Sequence, residues 1–254
     1  KTLFAEKQKT ELLNEKLNQT NQKLSESEKH LLDLNATKDK FFSIISHDLR
    51  NPFASIVSFS RLLKRNLANM SVDELQGLVV ELDKSVFKIN NLLENLLQWS
   101  RAQTGKIVYK PGYLLLRELI KDNVNLLMAN AKDKEINLVN EVNEDIIAWA
   151  DVNMTDTVIR NLLSNALKYT DIGGRVSVSA RQKAGWVFVS VSDNGVGISP
   201  ENIEKLFRVD AFFSTYGTQD EKGSGLGLLL CKEFVEHQGG TISLDSKIGK
   251  GTTF

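Results

Sequence analysis

The sequence predicts an α+β protein of two domains, in which a helical hairpin that dimerises into an antiparallel four-helix bundle precedes a domain of mixed helices and strands. Before residue 105, apolar residues recur at helical spacing with almost no Gly or Pro. After residue 105, short alternating apolar runs typical of strands lie between helical patterns. The predicted boundaries are 1–38 for a coiled-coil helix, 39–104 for the hairpin and 105–254 for the mixed domain.

The composition argues against a nucleic-acid partner and against secretion. Thirty-two basic and 32 acidic residues give a formal net charge of zero, so no nucleic-acid contact is expected. The single cysteine, Cys231, cannot form an internal disulfide, which indicates the cytoplasm. With no signal peptide and no run of about 18 apolar residues, we expect no membrane contact by this segment. The chain starts with helical and stops with strand character, which indicates a piece of a longer protein.

A heptad seam runs through residues 1–38. Leucine or threonine recurs at the spacing of a two-stranded coiled coil, at Leu3, Thr10, Leu17, Leu24 and Leu31. Threonine and serine dilute this seam. A marginal coiled coil and a lone solvated helix therefore both fit the pattern.

Two amphipathic helices are predicted within the hairpin. The first has an apolar face over 41–67, and the second has apolar residues at a period near 3.5 over 75–96. Ser71 and Glu74 have the spacing of a capping box, which predicts that the second helix begins there. Because one hairpin cannot fully cover two such seams, we predict a homodimer.

The mixed domain is predicted element by element from its periodicity. The predicted elements are a helix near 114–132, strands near 136–140 and 146–150, a helix over 152–169, and an antiparallel hairpin of strands 175–181 and 186–193.

His47 lies on the polar side of the first hairpin helix. Helical phase groups it with Arg50 and Arg61, so we expect an exposed imidazole. An inert surface histidine is the alternative, and the neighbouring residues weaken it. Asp48 follows directly, and a carboxylate can hold one ring N–H while the other nitrogen acts as a nucleophile. Asn51, one turn further on, has an amide that can position a water.

Structural roles, without catalysis or metal binding, explain Pro52, His30, His237 and Cys231. Pro52 lies inside the predicted helix at a cost of about 3 kcal/mol, which suggests a bend beside His47. No metal-ligand spacing links the other histidines, His30 and His237, to His47. Solvated or helix-end positions explain both, and Cys231 fits a small packing residue.

The helix predicted over 152–169 carries Asn161 and Asn165 on one face. An amide oxygen is a hard ligand that suits a Mg²⁺ ion already neutralised by phosphate. Lys168 can add positive charge. Taken alone, these residues also fit a solvated helix face.

Two glycine-rich segments further along the chain have features typical of nucleotide binding. Asp193 ends a predicted strand, where it can accept a hydrogen bond from the exocyclic amine of adenine. Gly195 and Gly197 after it permit close backbone approach. Residues 223–228 lead directly into a helix, whose N-terminus suits phosphates. The members of this second segment are Gly223, Gly225, Leu226 and Gly227.

Two glycine-containing stretches, 223–228 and 249–252, resemble other nucleotide-binding motifs but lack their fingerprints. Leu228 stands where a dinucleotide motif needs its last glycine, and Gly251 stands where a P-loop needs Ser or Thr after Lys250. Residues 208–224 are mostly polar or small and include Phe212 and Phe213, a composition typical of a mobile lid.

In their order along the chain, these segments resemble the motif boxes of two-component sensor histidine kinases, and the resemblance covers nearly everything after residue 38. The similar segments are 41–53 (FFSIISHDLRNPF, the H box), 161–170 (NLLSNALKYT, the N box), 193–197 (DNGVG), 223–228 (GSGLGL) and 249–254 (GKGTTF) for the three glycine boxes, and 206–213 for the F box.

The resemblance implies a dimeric antiparallel four-helix bundle followed by an α/β sandwich of the histidine kinase, topoisomerase and chaperone ATPase type. It implies that His47 accepts the γ-phosphate of ATP, with Asp48 as its activating acid, and passes it to an aspartate of a response regulator receiver domain. Asn51 would place the water for dephosphorylation. Residues 1–38 would deliver the signal of a sensor that is membrane-anchored outside this cytoplasmic portion.

The resemblance also implies ATP and Mg²⁺ as cofactors. Asn165 would ligate Mg²⁺, and Asp193 would bind adenine. The other residues implied around the nucleotide are Asn161, Lys168, Tyr169, Gly195, Gly197, Gly223, Gly225, Leu226, Gly227 and Thr252.

The F-box segment LFRVDAFFSTYGT departs from the more frequent FxPF form. With EKGSGLGL, it is similar to kinases and hybrid kinases of the Bacteroidetes type. Two rival functions remain. One is an ATP-gated conformational machine without phosphohistidine, and the other is a dimeric docking scaffold that binds ATP without transferring it.

Overall fold

The computed structural model describes residues 2–67, 70–103, 108–207, 216–219, 221, 225 and 227–254. Within these ranges, the side chains of residues 2–13, 30, 31, 33, 34, 36–44, 47, 91, 95, 99, 102 and 103 lie outside the description. The chain divides into two compact units, residues 1–47 and 48–254. The predicted division into 1–38, 39–104 and 105–254 stays a prediction.

Two long helices make up the first part of the chain. Helix α1 (Thr2–Asn66) continues through Pro52, and α2 (Val72–Gln103) follows a short turn. At that turn the Ser71 N–H donates to Glu74 Oε2 at 2.8 Å, and the Glu74 N–H donates to Ser71 Oγ at 3.2 Å. The predicted capping box is therefore confirmed. Across the described residues, no helix combines the length and apolar character that a membrane crossing requires.

A small antiparallel sheet follows, made of β1 (Gly112–Leu115) and β3 (Ile147–Ala150). It corrects the prediction of a helix from residue 114, because α3 (Leu116–Asp133) begins two residues later. Leu114 is buried while Tyr113 and Leu115 are exposed, the alternation of a strand. Local periodicity misses β1 because its pairing partner is distant in the sequence and the three leucines also fit a helix.

The larger sheet supports the rest of the domain. Among the described residues, its strands in spatial order are β2 (Asn137–Asn140), β4 (Arg175–Lys183), β5 (Trp186–Asp193), β7 (Gly251–Thr253) and β6 (Asp245–Lys247). β2 runs parallel to β4, and the other pairs are antiparallel. The predicted hairpin of β4 and β5 is therefore confirmed, with β4 reaching Lys183.

Helix α4 (Val152–Tyr169) is central to the core, and its predicted bounds are confirmed. It contacts α3, α6 (Gly227–His237), β4 and β5. Its apolar residues fall on one helical face, where Ile159 and Leu163 are buried against strand residues such as Val176 and Val191. A layer of helices on a mixed sheet is the predicted α/β sandwich. The short helix α5 (Pro200–Ile203) lies between β5 and α6 in the chain.

Candidate active site

Helix α4 positions the predicted amide side chains. Its N-cap is Asp151, whose Oδ1 accepts from the backbone N–H groups of Asn153 at 2.9 Å and Met154 at 3.1 Å. The cap fixes where the helix begins. Asn161 and Asn165, four residues apart, then lie on the same side of the helix, and both are half-buried.

Lys168 and Tyr169 form the last residues of α4. The ammonium of Lys168 donates to Tyr169 Oη at 3.0 Å and lies 4.6 Å from the centre of the tyrosine ring. Both side chains are half-buried. The pair therefore holds a positive charge one helical turn beyond Asn165, where it can offset phosphate charge.

Asp193 ends β5 with a fixed carboxylate. Its Oδ1 accepts from the backbone N–H groups of Gly195 at 2.9 Å and Thr252 at 3.1 Å. No described residue donates to Oδ2, so that oxygen keeps its lone pairs for a ligand. Burial raises the pKa of Asp193 above its ordinary value of 3.8, because desolvation outweighs the opposing effect of the two amide bonds.

The two glycines after Asp193 allow two segments of the chain to meet. A Cβ on Gly195 would collide with the backbone carbonyl of Tyr169, and one on Gly197 would collide with that of Lys247. Gly197 also has φ +68°, which favours glycine. The close approach that these glycines allow in the structure is one of backbone to backbone, and it brings Asp193 beside the end of α4.

Helix α6 starts at the second glycine segment, as predicted. Gly227 is its first residue, and a Cβ there would lie 3.3 Å from Asn161 Oδ1. Gly225 has φ +66°. The positive end of the α6 dipole therefore lies beside the amide face of α4, an arrangement suited to phosphates. Gly223 and Leu226 lie outside the described residues.

Thr252 is the last described residue of the predicted nucleotide site. It is 6% exposed, and its Oγ1 lies 2.8 Å from the Ser246 hydroxyl. The buried threonine thus keeps its N–H aimed at Asp193. The free Asp193 oxygen, the half-buried Asn165 amide and the α6 N-terminus together fit an adenine amine, Mg²⁺ and phosphates.

The histidine motif lies on α1. Arg50, Arg61 and Asn51 are exposed, and Asp48 is half-buried. The side chain of His47 lies outside the described residues, as does most of the predicted lid over 208–224. The roles of His47, Asp48 and Asn51 stay predictions.

Lys134 and Glu221 were not predicted as site residues. The Lys134 side chain is 6% exposed, and its Nζ donates to the Leu167 and Lys168 carbonyls at 3.0 and 2.9 Å and to Glu221 Oε1 at 3.0 Å. Glu221 stands next to the second glycine segment, a signal that could have marked it. Nothing local marks Lys134, whose partners lie between 33 and 87 residues away.

Two families match the chain. Residues 37–105 match the family described as His Kinase A (phospho-acceptor) domain. Residues 150–254 match the family described as histidine kinase-, DNA gyrase B-, and HSP90-like ATPase. The second match contains Asn161, Asn165, Asp193 and Thr252, and the first contains His47.

Curated relatives are sensor proteins and kinases. Sensor protein GacS of Pseudomonas syringae pv. syringae is 28% identical over 240 residues, covering 92% of this chain and 26% of that protein. Drug sensory protein A of Synechocystis sp. is 30% identical over 238 residues, covering 88% of this chain and 35% of that protein. Histidine protein kinase DivJ of Caulobacter vibrioides is 29% identical over 222 residues, covering 87% and 37% respectively. The chain spans 26% to 37% of the length of these relatives.

Solved structures share the fold. Histidine kinase AdeS of Acinetobacter baumannii superposes with a TM-score of 0.65 at 16% identity, covering 82% of this chain and 94% of that one. Histidine kinase ThkA, solved in complex with response regulator protein TrrA, superposes with a TM-score of 0.65 at 24% identity, covering 84% and 59%.

A phospho-acceptor helical region followed by an ATPase-type α/β sandwich is the domain pair of histidine kinases. The chain belongs to the two-component sensor histidine kinases and comprises a kinase core of that family.

Proposed function

We propose that this core transfers the γ-phosphate of Mg²⁺-ATP to His47 and that the phosphate then passes to an aspartate of a response regulator. The observation that carries the proposal is the presence in one chain of the His47–Asp48 pair, within a phospho-acceptor match, and of an Asp193 carboxylate that two backbone amides hold by one oxygen. Neither rival function uses the histidine motif.

The transfer to His47 is an in-line displacement. The lone pair of Nε2 attacks the γ-phosphorus, a P–N bond forms, and the bond from phosphorus to the bridging oxygen of ADP breaks. Asp48 holds the Nδ1–H and takes that proton as the ring becomes positive, so the product is a neutral-ring phosphohistidine. Positioning and charge stabilisation supply most of the rate.

Different residues of the proposed nucleotide site contact different parts of Mg²⁺-ATP. The free oxygen of Asp193 accepts from the adenine amine, and Lys168 and the α6 N-terminus offset phosphate charge. Asn165 is the proposed Mg²⁺ ligand, with its amide oxygen, and the ion when bound neutralises phosphate oxygens. The residues proposed to line the nucleotide are Asn161, Tyr169, Gly195, Gly197, Gly223, Gly225, Leu226, Gly227 and Thr252.

The proposed assembly is a homodimer. Helix α2 exposes the seam residues Val86 by 47% and Leu93 by 44%, and on α1 Phe53 is 52% exposed. A second copy that covers these faces would complete a four-helix bundle. In residues 1–38, Leu17 and Leu24 are exposed by 56% and 65%, which supports a paired coiled coil.

The proposed partner is the receiver domain of a response regulator. Support comes from the ThkA complex, a kinase of the same fold that was solved with a response regulator. Exposed Asn51 would position the water that removes the phosphate from the partner. We propose that the chain is the cytoplasmic portion of a membrane-anchored sensor.

Labelling with γ-labelled ATP and Mg²⁺ tests the reaction. The wild-type dimer should gain an acid-labile, base-stable label, while His47→Gln should gain none. His30→Gln, on the same helix, is the matched control and should label as wild type. Unlabelled wild-type protein that hydrolyses ATP would favour the conformational machine, and unlabelled protein that binds ATP without hydrolysis would favour the scaffold. Full labelling of His47→Gln would also contradict the proposal.

A further inference from the structure

Lys134 is a buried cation to which the proposed reaction gives no task. Burying an ammonium is costly unless its donors are satisfied. The three acceptors of Lys134 use all three of its N–H groups: two carbonyls at the end of α4 and one carboxylate oxygen of Glu221. Those carbonyls are the negative end of the helix dipole, which favours a cation. The surroundings of Lys134 are therefore arranged to stabilise its positive charge.

Glu221 divides its carboxylate between two partners. Oε1 accepts from Lys134, and Oε2 accepts from the Gln219 N–H at 2.8 Å. Although burial acts against the charged form, the hydrogen bonds from Lys134 and from the backbone hold the pKa of Glu221 below its ordinary value of 4.5. An ionised Glu221 thus joins Lys134 to the segment just before the second glycine motif.

That segment, residues 216–219 and 221, rests on the end of α4. The Thr218 N–H donates to the Lys168 carbonyl at 3.1 Å, and the Thr218 hydroxyl donates to the Thr170 carbonyl at 2.9 Å. A Cβ on Gly217 would collide with Glu221 and with Lys168. The helix residue Lys168, assigned to phosphate above, is therefore part of the surface on which the segment rests.

A second attachment to α4 lies within the glycine segment itself. A Cβ on Gly227 would lie 3.3 Å from Asn161 Oδ1, so the chain is attached to α4 at Gly217 and Thr218 and again at Gly227. The buried Lys134 supports the first of these two attachments.

We infer that Lys134 and Glu221 are positioning residues for the nucleotide, because they hold residues 216–219 and 221 on the end of α4, beside Lys168. The inference rests on the proposed nucleotide site. Neither residue touches the reacting atoms, so their loss should weaken the binding of ATP while leaving the transfer step from bound ATP nearly unchanged.

Binding of a non-hydrolysable Mg²⁺-ATP analogue, followed by calorimetry on the whole chain, tests this. In Glu221→Gln the amide nitrogen that replaces Oε2 would face the Gln219 N–H, donor against donor. We expect the dissociation constant to rise about tenfold, the size of one charge-assisted hydrogen bond. At saturating ATP, the rate of His47 labelling should stay within about twofold of wild type. Glu201→Gln, an exposed carboxylate on α5, is the matched control and should bind as wild type.

Lys134→Met, with exposed Lys132→Met as its control, should weaken binding at least as much. The double variant should lose no more than the worse single variant, because the two residues act as one unit. A Glu221→Gln protein with unchanged affinity would overturn the inference, as would a double variant whose losses multiply. If Lys134→Met fails to fold, Glu221→Gln alone decides. Wild type that binds the analogue without labelling His47 would contradict the proposed reaction and leave the affinity test intact.

Discussion

Helix α2 and helix α4 differ in what covers their apolar residues. On α4, Ile159 and Leu163 are 2% and 0% exposed, packed in the core of the mixed domain. On α2, Val86, Phe87 and Leu93 are between 44% and 64% exposed. The apolar face of α4 is therefore covered by its own domain, whereas α2 keeps an exposed apolar surface that supports the proposed pairing with a second copy.

The largest effect is expected in the core. Leu163→Ala should lower the free energy of unfolding by about 3 kcal/mol, because a fully buried leucine leaves a cavity. Leu126→Ala, at a position 62% exposed on α3, is the control and should cost less than about 0.5 kcal/mol. Urea unfolding measures both. Equal effects at the two positions would mean that α4 is not central to the core.

A second variant tests the exposed side of the comparison. Leu93→Asp on α2 should weaken dimerisation roughly 30-fold, about 2 kcal/mol, since a carboxylate would be buried in the proposed interface. Sedimentation equilibrium measures the dimer, and Asn90→Asp, exposed on the same helix, is the control. A wild-type monomer at all concentrations would refute the proposed bundle.

Asp193→Asn separates binding from folding within the mixed domain. If the asparagine oxygen keeps the two backbone amides, its NH₂ faces the adenine amine, donor against donor. We expect roughly a tenfold loss of nucleotide affinity, measured by calorimetry. Asp245→Asn, exposed on β6, should bind as wild type. Unchanged affinity in Asp193→Asn would remove this residue from the site.

The contribution of the Asp193 carboxyl to stability should change with pH in a defined direction. Because the pKa of Asp193 is raised above 3.8, the folded protein takes up this proton before the unfolded chain does as pH falls. The carboxyl therefore adds stability on acidification and costs stability above its raised pKa. The unfolding free energy of wild type relative to Asp193→Asn should rise as pH falls through that window and level off below 3.8. Urea titrations across the window check this, and an opposite slope would contradict the burial of the carboxylate.

The smallest effect is expected at the start of α2. Ser71→Ala removes the hydroxyl that accepts from the Glu74 N–H and should cost about 1 kcal/mol of stability. Ser71→Thr keeps an acceptor and should recover most of that loss. Thermal unfolding of the protein distinguishes the two variants, and an equal loss in both would show that packing rather than capping matters there.

Local signals predicted most of the fold. The bounds of α4 were predicted from its periodicity, and the start of α2 was predicted from the spacing of Ser71 and Glu74. The strand β1 was missed because it is stabilised by pairing with β3, which is distant in the sequence. The residues next to Leu114 do not reveal this pairing. Local periodicity does not reveal which strands pair when they are far apart in the sequence.

The same division holds for the candidate site. Asp193 and Asn165 stand in recognisable motifs, so their residue types and spacing suffice to predict them. The bond between Asp193 and the Thr252 N–H joins residues 59 apart and depends on how β5 pairs with β7. Lys134 is even harder to predict from the sequence, since only the folded chain brings its three acceptors together.

The buried thiol of Cys231 has a practical consequence for the experiments above. It is 0% exposed, and burial raises its pKa to about 12, so almost no thiolate exists at neutral pH. Since it is the chain's single cysteine, a new cysteine placed at exposed Ser164 on α4 would be the reactive thiol of the folded protein. A fluorophore attached there could report nucleotide binding beside Asn165 without any change to the native cysteine.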